Sequence, residues 1–118
     1  MTNSAGESFG AKVRRERERL ELGLREMAKK IGVSPTYLSK VERDEFPPPA
    51  EDRVKAIANI IGCDVDELLA LAGRVSSELT DIIKRRPREM ASFLRAANKM
   101  SAEEVTKLSR GTRTLKDN

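Results

Sequence analysis

Apolar residues recur every three or four positions along most of the chain, which is the spacing of one face of an α-helix. No segment shows the strict alternation of apolar and polar residues that a half-buried strand requires. The pattern predicts five helices in the first part of the chain, at about 8–21, 24–31, 35–43, 50–61 and 64–73. It predicts three weaker helices at about 77–85, 87–98 and 101–109. The sequence therefore predicts an all-α protein.

Residues that favour helix ends support these boundaries. Gly32 follows the second helix, and glycine can end a helix in the left-handed conformation. The dipeptide Ser34-Pro35 opens the third helix with a good N-cap and with a proline at the first helical position. Capping-box spacing, an N-cap residue followed three positions later by glutamate, occurs at Asp64/Glu67 and Ser101/Glu104.

The segment from Leu24 to Arg43 has the features of a helix-turn-helix unit. Two short helices can cross closely only where a small residue lies at the crossing point, and Ala28 is such a residue. Gly32, four positions later, can take the left-handed turn position without steric cost. The apolar positions that would face the core are Met27, Ile31, Val33, Leu38 and Val41. An ordinary helical hairpin is the alternative, but the combined spacing favours the helix-turn-helix.

The stretch REMAKKIGVSPTYLSKVER is very similar to the lambda-repressor-like (Cro/Xre) helix-turn-helix regulators. The resemblance covers residues 9–73 and implies a five-helix lambda-repressor-like DNA-binding domain, followed here by a C-terminal helical extension. It also implies a homodimer at short, roughly palindromic operators in double-stranded DNA, usually acting as a repressor.

Two positions depart from the family pattern. The second helix commonly begins with Ser or Thr followed by Gln, whose side chain holds a phosphate; Gly23-Leu24 stands there instead. Backbone N–H groups at the helix start, together with Arg25, could still hold a phosphate. Asp44 replaces the glycine that often follows the recognition helix, and aspartate tolerates the left-handed conformation less well.

The third helix is expected to lie in the major groove with its N-terminal residues toward the base edges. If Leu38 and Val41 face the core, the groove face carries Pro35, Thr36, Ser39 and Lys40, which we predict to contact bases. The Thr36 methyl can touch thymine, and Lys40 can donate to the O6 and N7 atoms of guanine. A solvated helix face is the alternative for the two hydroxyl residues.

The predicted phosphate contacts are basic or hydroxyl-bearing side chains around that face, namely Arg25, Tyr37, Arg43, Arg14 and Arg17. Tyr37 fits a phosphate contact and a half-buried structural residue equally well. Arg43 also suits the end of its helix, where the helix dipole favours a cation. For the remaining three arginines, which are weaker phosphate candidates, a solvated surface charge is the favoured alternative.

Composition argues against catalysis and against bound cofactors or metals. The chain has no histidine, which excludes His-based triads and His metal clusters. It has no Gly-rich phosphate loop, and the acidic residues near Cys63 are explained as helix caps. The single cysteine indicates a reducing, cytoplasmic setting, and no apolar run is long enough to span a membrane. The formal net charge of +4 permits a nucleic-acid partner without requiring one.

We expect four regions: a flexible arm at 1–8, the helix-turn-helix domain at 9–73, a helical extension at 74–110, and a flexible tail at 111–118. The extension could pad the first domain, form a dimer interface or bind a partner; we favour dimerisation, because two linked copies suit a palindromic site. The resemblance also allows a regulatory protein partner such as a peptidase or a toxin. The alternative function is an antitoxin or coactivator-like interaction module whose DNA binding is secondary.

Overall fold

The computed structural model describes residues 6–117, with side chains described as far as Thr112. The helices over this range are α1 (Phe9–Arg19), α2 (Leu24–Ile31), α3 (Pro35–Glu42), α4 (Glu51–Ile61), α5 (Val65–Leu71), α6 (Ser77–Arg85), α7 (Pro87–Ala97) and α8 (Ala102–Asp117). No described residue lies in a strand, so the all-α prediction is confirmed. Residues up to Ser76 form one compact unit, the N-terminal unit, and residues from Ser77 form a second, the C-terminal unit.

The helix ends follow the local chemistry of the sequence. The side chains of Ser34 and Asp64 each accept a hydrogen bond from the backbone N–H three residues later, at 3.0 and 2.9 Å. Gly32 ends α2 in the left-handed conformation with φ of 75°. Both halves of the capping box at α8 are formed, because the Ser101 and Glu104 side chains each accept the other residue's N–H.

The core lies in the N-terminal unit, between α1 and α5. Ala28 is fully buried, which lets α2 approach its neighbours closely, as predicted. Val33 packs partly buried against the core rather than within it. Thirteen of the described apolar side chains are buried there: Phe9, Val13, Met27, Ala28, Ile31, Leu38, Val41, Val54, Ile57, Ala58, Ile61, Leu68 and Leu69.

The C-terminal unit is built differently. None of the described side chains on α6, α7 or α8 is buried. Apolar side chains instead line an open groove of about 580 Å³ within this unit. The residues lining it are Ile82, Met90, Phe93, Val105, Leu108, Ser109 and Thr112.

The structure describes part of the predicted arm and part of the predicted tail. Residues 1–5 of the predicted flexible arm at 1–8 lie outside the described residues, but its last two residues are held in place. Glu7 accepts two hydrogen bonds from Arg15, and Ser8 caps α1. Helix α8 continues to Asp117, past the predicted helix end at about residue 109 and through most of the predicted tail at 111–118. Gly111 lowers helix propensity by about 1 kcal/mol, but no proline follows to end the helix.

Candidate nucleic-acid interface

Helix α3 is held by its buried side and presents its opposite side outward. Leu38 and Val41 are almost completely buried, whereas Thr36 is exposed and Pro35 and Ser39 are partly exposed. Arg53 of α4 strengthens the turn before α3, because its guanidinium donates to the carbonyl oxygens of Ile31 and Gly32 at 3.1 and 3.2 Å. The turn and the core together therefore fix which side of α3 faces solvent.

The outward side of α3 forms one wall of an open groove of about 740 Å³. The other wall is the start of α2, where Gly23 is the N-cap residue and supplies no side chain to cap the first-turn N–H groups. Residues from both walls line the groove: Gly23, Leu24, Arg25, Glu26, Pro35, Thr36, Ser39 and Arg43. Five of the nine predicted contact residues thus share this surface, which we call the α2–α3 groove.

A smaller hollow of about 290 Å³ adjoins this groove along one edge of α3. It is lined by Arg14, Arg17, Leu24, Ser39, Glu42 and Arg43, so three of the predicted phosphate ligands converge there. The exposed ion pairs of Arg14 with Glu18 and of Arg43 with Glu45, at 3.2 and 3.3 Å, are of a kind that contributes little energy. A phosphate could therefore replace Glu18 and Glu45 as the partners of these two guanidinium groups with little loss of free energy.

Arg17 is the predicted phosphate contact that the structure does not support. Its guanidinium donates to both carboxylate oxygens of Glu42, at 2.8 and 3.0 Å, and to the carbonyl oxygen of Leu22 at 2.8 Å. The Arg17 side chain is 11% exposed and that of Glu42 only 3%. The hydrogen bonds to Glu42 raise the pKa of Arg17. Arg17 thus joins α1 to the end of α3, and these contacts favour a structural role over the predicted phosphate contact.

Tyr37 and Lys40 lie along the other edge of α3, and both contact Phe46. The Tyr37 and Phe46 ring centroids are 5.8 Å apart, and the Lys40 Nζ lies 5.2 Å from the centroid of the Phe46 ring. Tyr37 is half-buried, so its position fits the structural alternative as well as the phosphate contact. Lys40 is partly exposed and does not line the α2–α3 groove.

The turn after α3 is tied to the start of α1. Asp44 takes the left-handed conformation with φ of 62°, and its carboxylate accepts hydrogen bonds from the Ser8 hydroxyl at 2.7 Å and the Gly10 N–H at 3.3 Å. A methyl group at Gly10 would lie 2.7 Å from the carbonyl oxygen of Glu42, closer than such atoms approach. Asp44 stands where glycine is common in the family pattern. The hydrogen bonds that its carboxylate accepts from Ser8 and Gly10 hold it in the less favoured left-handed conformation.

Three residues of this region were missed by the sequence reasoning. Phe46 is an aromatic residue in an otherwise polar turn, and that contrast was a usable signal. Gly10 lies within a helix, where glycine is unfavourable, and it indicates a close approach of two backbones. Glu42 carried no signal, because a glutamate near a helix end normally lies in solvent.

No cluster of three or more acidic, cysteine or histidine side chains in residues 6–117 could hold a metal ion. No helix in that part of the chain has both the length and the apolar character needed to cross a lipid bilayer.

Comparison with known proteins finds solved structures that are similar to part of this chain. No curated protein sequence matches the chain. The solution structure of the DNA-binding domain of the P22 c2 repressor is 27% identical and covers 56% of this chain and 86% of that one, with a TM-score of 0.50. The clp gene regulator ClgR from C. glutamicum is 31% identical over 57% of this chain and 86% of that one, with a TM-score of 0.47.

The N-terminal DNA-binding domain of SinR from Bacillus subtilis is 28% identical and covers 52% of this chain and 88% of that one, with a TM-score of 0.47. A family model described as a helix-turn-helix domain matches residues 8–71, which is more than half of the chain. The chain therefore belongs to the helix-turn-helix domain family, and its N-terminal unit is of the lambda-repressor-like (Cro/Xre) type.

Proposed function

We propose that this protein is a sequence-specific regulator of transcription that binds double-stranded DNA as a homodimer at a palindromic operator. The observation that carries the proposal is the outward side of α3, where Thr36 is exposed beside Ser39 while Leu38 and Val41 anchor the helix in the core. A helix held in this way can enter the major groove, which is about 12 Å wide. The matched P22 c2 structure is a repressor's DNA-binding domain, which supports the same use of the fold.

We propose that base edges are contacted by Thr36, Ser39 and Lys40. Pro35, at the start of the helix, would pack against the bases as well. The hydroxyls donate or accept hydrogen bonds, and Lys40 donates to guanine. Each good base contact is worth about 1–3 kcal/mol of discrimination between base pairs.

The phosphate backbone would be held on either side of α3. Arg25 and Arg43 line the α2–α3 groove, and Arg14 lies in the adjoining hollow. The first-turn N–H groups of α2 receive no side-chain cap from Gly23, so they can donate to a phosphate oxygen. This backbone site would replace the glutamine side chain that the sequence lacks.

The C-terminal unit is the proposed dimer interface. Phe93 and Leu94 are each almost half exposed, and Leu79, Met100 and Val105 are exposed as well. Exposed apolar surface of this kind is typical of interaction sites. A second copy of this unit is the occupant that we propose, because a two-fold dimer matches the symmetry of a palindromic operator. Occupying a promoter in this way would repress transcription.

The DNA-binding proposal is tested by selecting bound duplexes from a random pool and then titrating the whole 118-residue chain with the consensus duplex. Three phosphate contacts from each protomer of a dimer predict that log K changes with log salt with a slope of about −5. Arg25→Gln should reduce the slope by about 2, because it acts in both protomers. Joint replacement Thr36→Ala and Ser39→Ala should lower affinity for the consensus at least about tenfold and leave non-specific binding unchanged.

Asn59→Ala is the matched control, because Asn59 is exposed on α4 outside the groove residues. It should change neither affinity nor slope. Failure of the pool to converge on any consensus, with weak and sequence-indifferent binding, would contradict the proposal and favour the interaction-module alternative.

A further inference from the structure

The contact between Lys40 and Phe46 lies at one edge of the proposed reading face. The Lys40 ammonium is 5.2 Å from the Phe46 ring centroid, within the range over which the ring's negative face attracts a cation. Phe46 is 40% exposed and is not part of the core cluster. Phe46 therefore packs beside Lys40 and Tyr37 at the surface of the domain rather than in its apolar core.

Backbone geometry brings the ring back over α3. The carbonyl oxygen of Lys40 accepts hydrogen bonds from the N–H groups of both Glu45 and Phe46, at 2.9 and 3.3 Å. The left-handed Asp44 makes this reversal of the chain possible, and its carboxylate is anchored to Gly10 and Ser8. The turn that carries Phe46 is therefore anchored to the start of α1. The Phe46 ring itself packs against Tyr37, with the two ring centroids 5.8 Å apart.

The charge of Lys40 remains available for a ligand. Both acidic residues of the turn have other partners. Asp44 accepts hydrogen bonds from Ser8 and Gly10, and Glu45 forms its ion pair with Arg43. Within the described part of the chain no carboxylate forms an ion pair with the Lys40 ammonium. A ring holds a cation without neutralising it, whereas a carboxylate would cancel the charge that DNA attracts.

We propose that Phe46 is a positioning residue for DNA recognition: its ring holds the Lys40 ammonium at the edge of the reading face and so fixes the base pair that Lys40 selects. A lysine side chain has many rotamers, and restricting them before binding reduces the entropy lost when the contact to guanine forms. This inference rests on the proposed DNA-binding function and adds to it a residue that determines specificity without contacting a base itself.

A double-mutant cycle on the whole 118-residue chain tests the proposal. Affinity is measured for two duplexes: the selected one, and one changed at the base pair that the Lys40→Gln variant no longer distinguishes. Phe46→Leu should lower affinity for the selected duplex about threefold and reduce the preference at that base pair by the same factor. In a Lys40→Gln background, Phe46→Leu should change affinity less than about 1.5-fold. Phe46→Tyr keeps the ring and should restore both properties.

Lys55→Gln is the charge-matched control, because Lys55 is an exposed lysine on α4 that pairs with Glu51. It should not alter preference at any base pair. Thermal unfolding of each variant shows whether the domain remains folded, since Phe46→Leu should leave the melting temperature almost unchanged.

Two results would overturn the inference. An equal loss of affinity from Phe46→Leu with and without Lys40 would show that the ring contacts DNA directly. An unchanged preference in Phe46→Leu would show that Lys40 needs no support. Both results leave specific binding by the wild-type protein intact, whereas absence of a consensus would contradict the proposed function itself.

Discussion

The two units of this protein use similar helical patterns of apolar residues with opposite results. In the N-terminal unit thirteen apolar side chains are buried, and Leu68 and Leu69 are completely inaccessible. In the C-terminal unit Phe93 and Leu94 remain 45% and 47% exposed, and none of the described side chains is buried. Helical periodicity therefore shows which face of a helix is apolar, but not whether another element covers it.

In the N-terminal unit, small residues accompany this burial. Ala28 and Gly10 are small residues at points where backbones come together in the N-terminal unit. Arg17 and Glu42 then join α1 to α3 across the same region. The described part of the C-terminal unit is about 40 residues long, near the lower limit at which a domain can fold without additional support. Four predictions are given from the largest expected effect to the smallest. Two compare the units directly, and two measure contacts that hold the N-terminal unit together.

Replacing Arg17 should cause the largest loss of stability. Arg17→Met leaves the Glu42 carboxylate buried without its partner, and breaking a buried pair in this way costs about 3–5 kcal/mol of unfolding free energy. Arg19→Met is the matched control, because Arg19 forms an exposed pair with Glu16 and should cost less than about 1 kcal/mol. Urea unfolding measures both. Equal losses would show that the Arg17–Glu42 pair behaves as a surface pair.

Truncating a leucine should have opposite consequences in the two units. Leu68→Ala creates a cavity in the core of the N-terminal unit and should cost about 2–5 kcal/mol. Leu94→Ala removes an exposed side chain and should cost less than about 1 kcal/mol in the monomer. Urea unfolding at low protein concentration compares them. A large loss from Leu94→Ala would mean that the C-terminal unit buries this residue in the free protein.

Adding a methyl group to a glycine should also change stability in opposite directions in the two units. Gly10→Ala overlaps backbone atoms of α3 and should destabilise the N-terminal unit by about 1–3 kcal/mol. Gly111 lies in α8 with no atom near its added methyl, so Gly111→Ala should stabilise that helix by up to about 1 kcal/mol. Thermal unfolding measures the change in stability, and circular dichroism measures the change in helix content. Tolerance of Gly10→Ala would contradict the close approach of α1 to α3.

The smallest effect is expected from acid. The hydrogen bond from Arg15 lowers the pKa of Glu7 below 4.5. A carboxylate whose folded pKa is lowered stabilises the fold above its unfolded pKa, and this stabilisation is lost as pH falls through the folded value. Wild type should therefore lose slightly more stability than Glu7→Gln between about pH 6 and about pH 3. Identical pH profiles would show that the pair contributes nothing to folding.

The sequence was sufficient for the helices whose ends are marked by local chemistry. The boundaries of α2 and the start of α3 follow from Gly32, Ser34 and Pro35, whose effects depend only on neighbouring backbone. The outward position of Thr36 followed from helical geometry once Leu38 and Val41 were assigned to the core. These features are local, and local propensities determine them.

The features that were missed depend on contacts between residues far apart in the chain. The burial of Glu42 depends on Arg17, 25 positions earlier, and a charged helix face gives no sign of it. The position of Phe46 depends on the anchoring of Asp44 to Gly10, 34 positions away. Tertiary contacts of this kind determine where a side chain points, and periodicity carries no information about them.

The central claim is that the exposed side of α3 in the N-terminal unit, rather than the C-terminal unit, contacts DNA. Backbone amide chemical shifts of this 118-residue chain, measured with and without the selected duplex, test it most directly. We predict the largest changes at Thr36, Ser39 and Arg43 and at the first turn of α2. Changes confined to residues 77–117, with the α3 amides unaffected, would contradict the account.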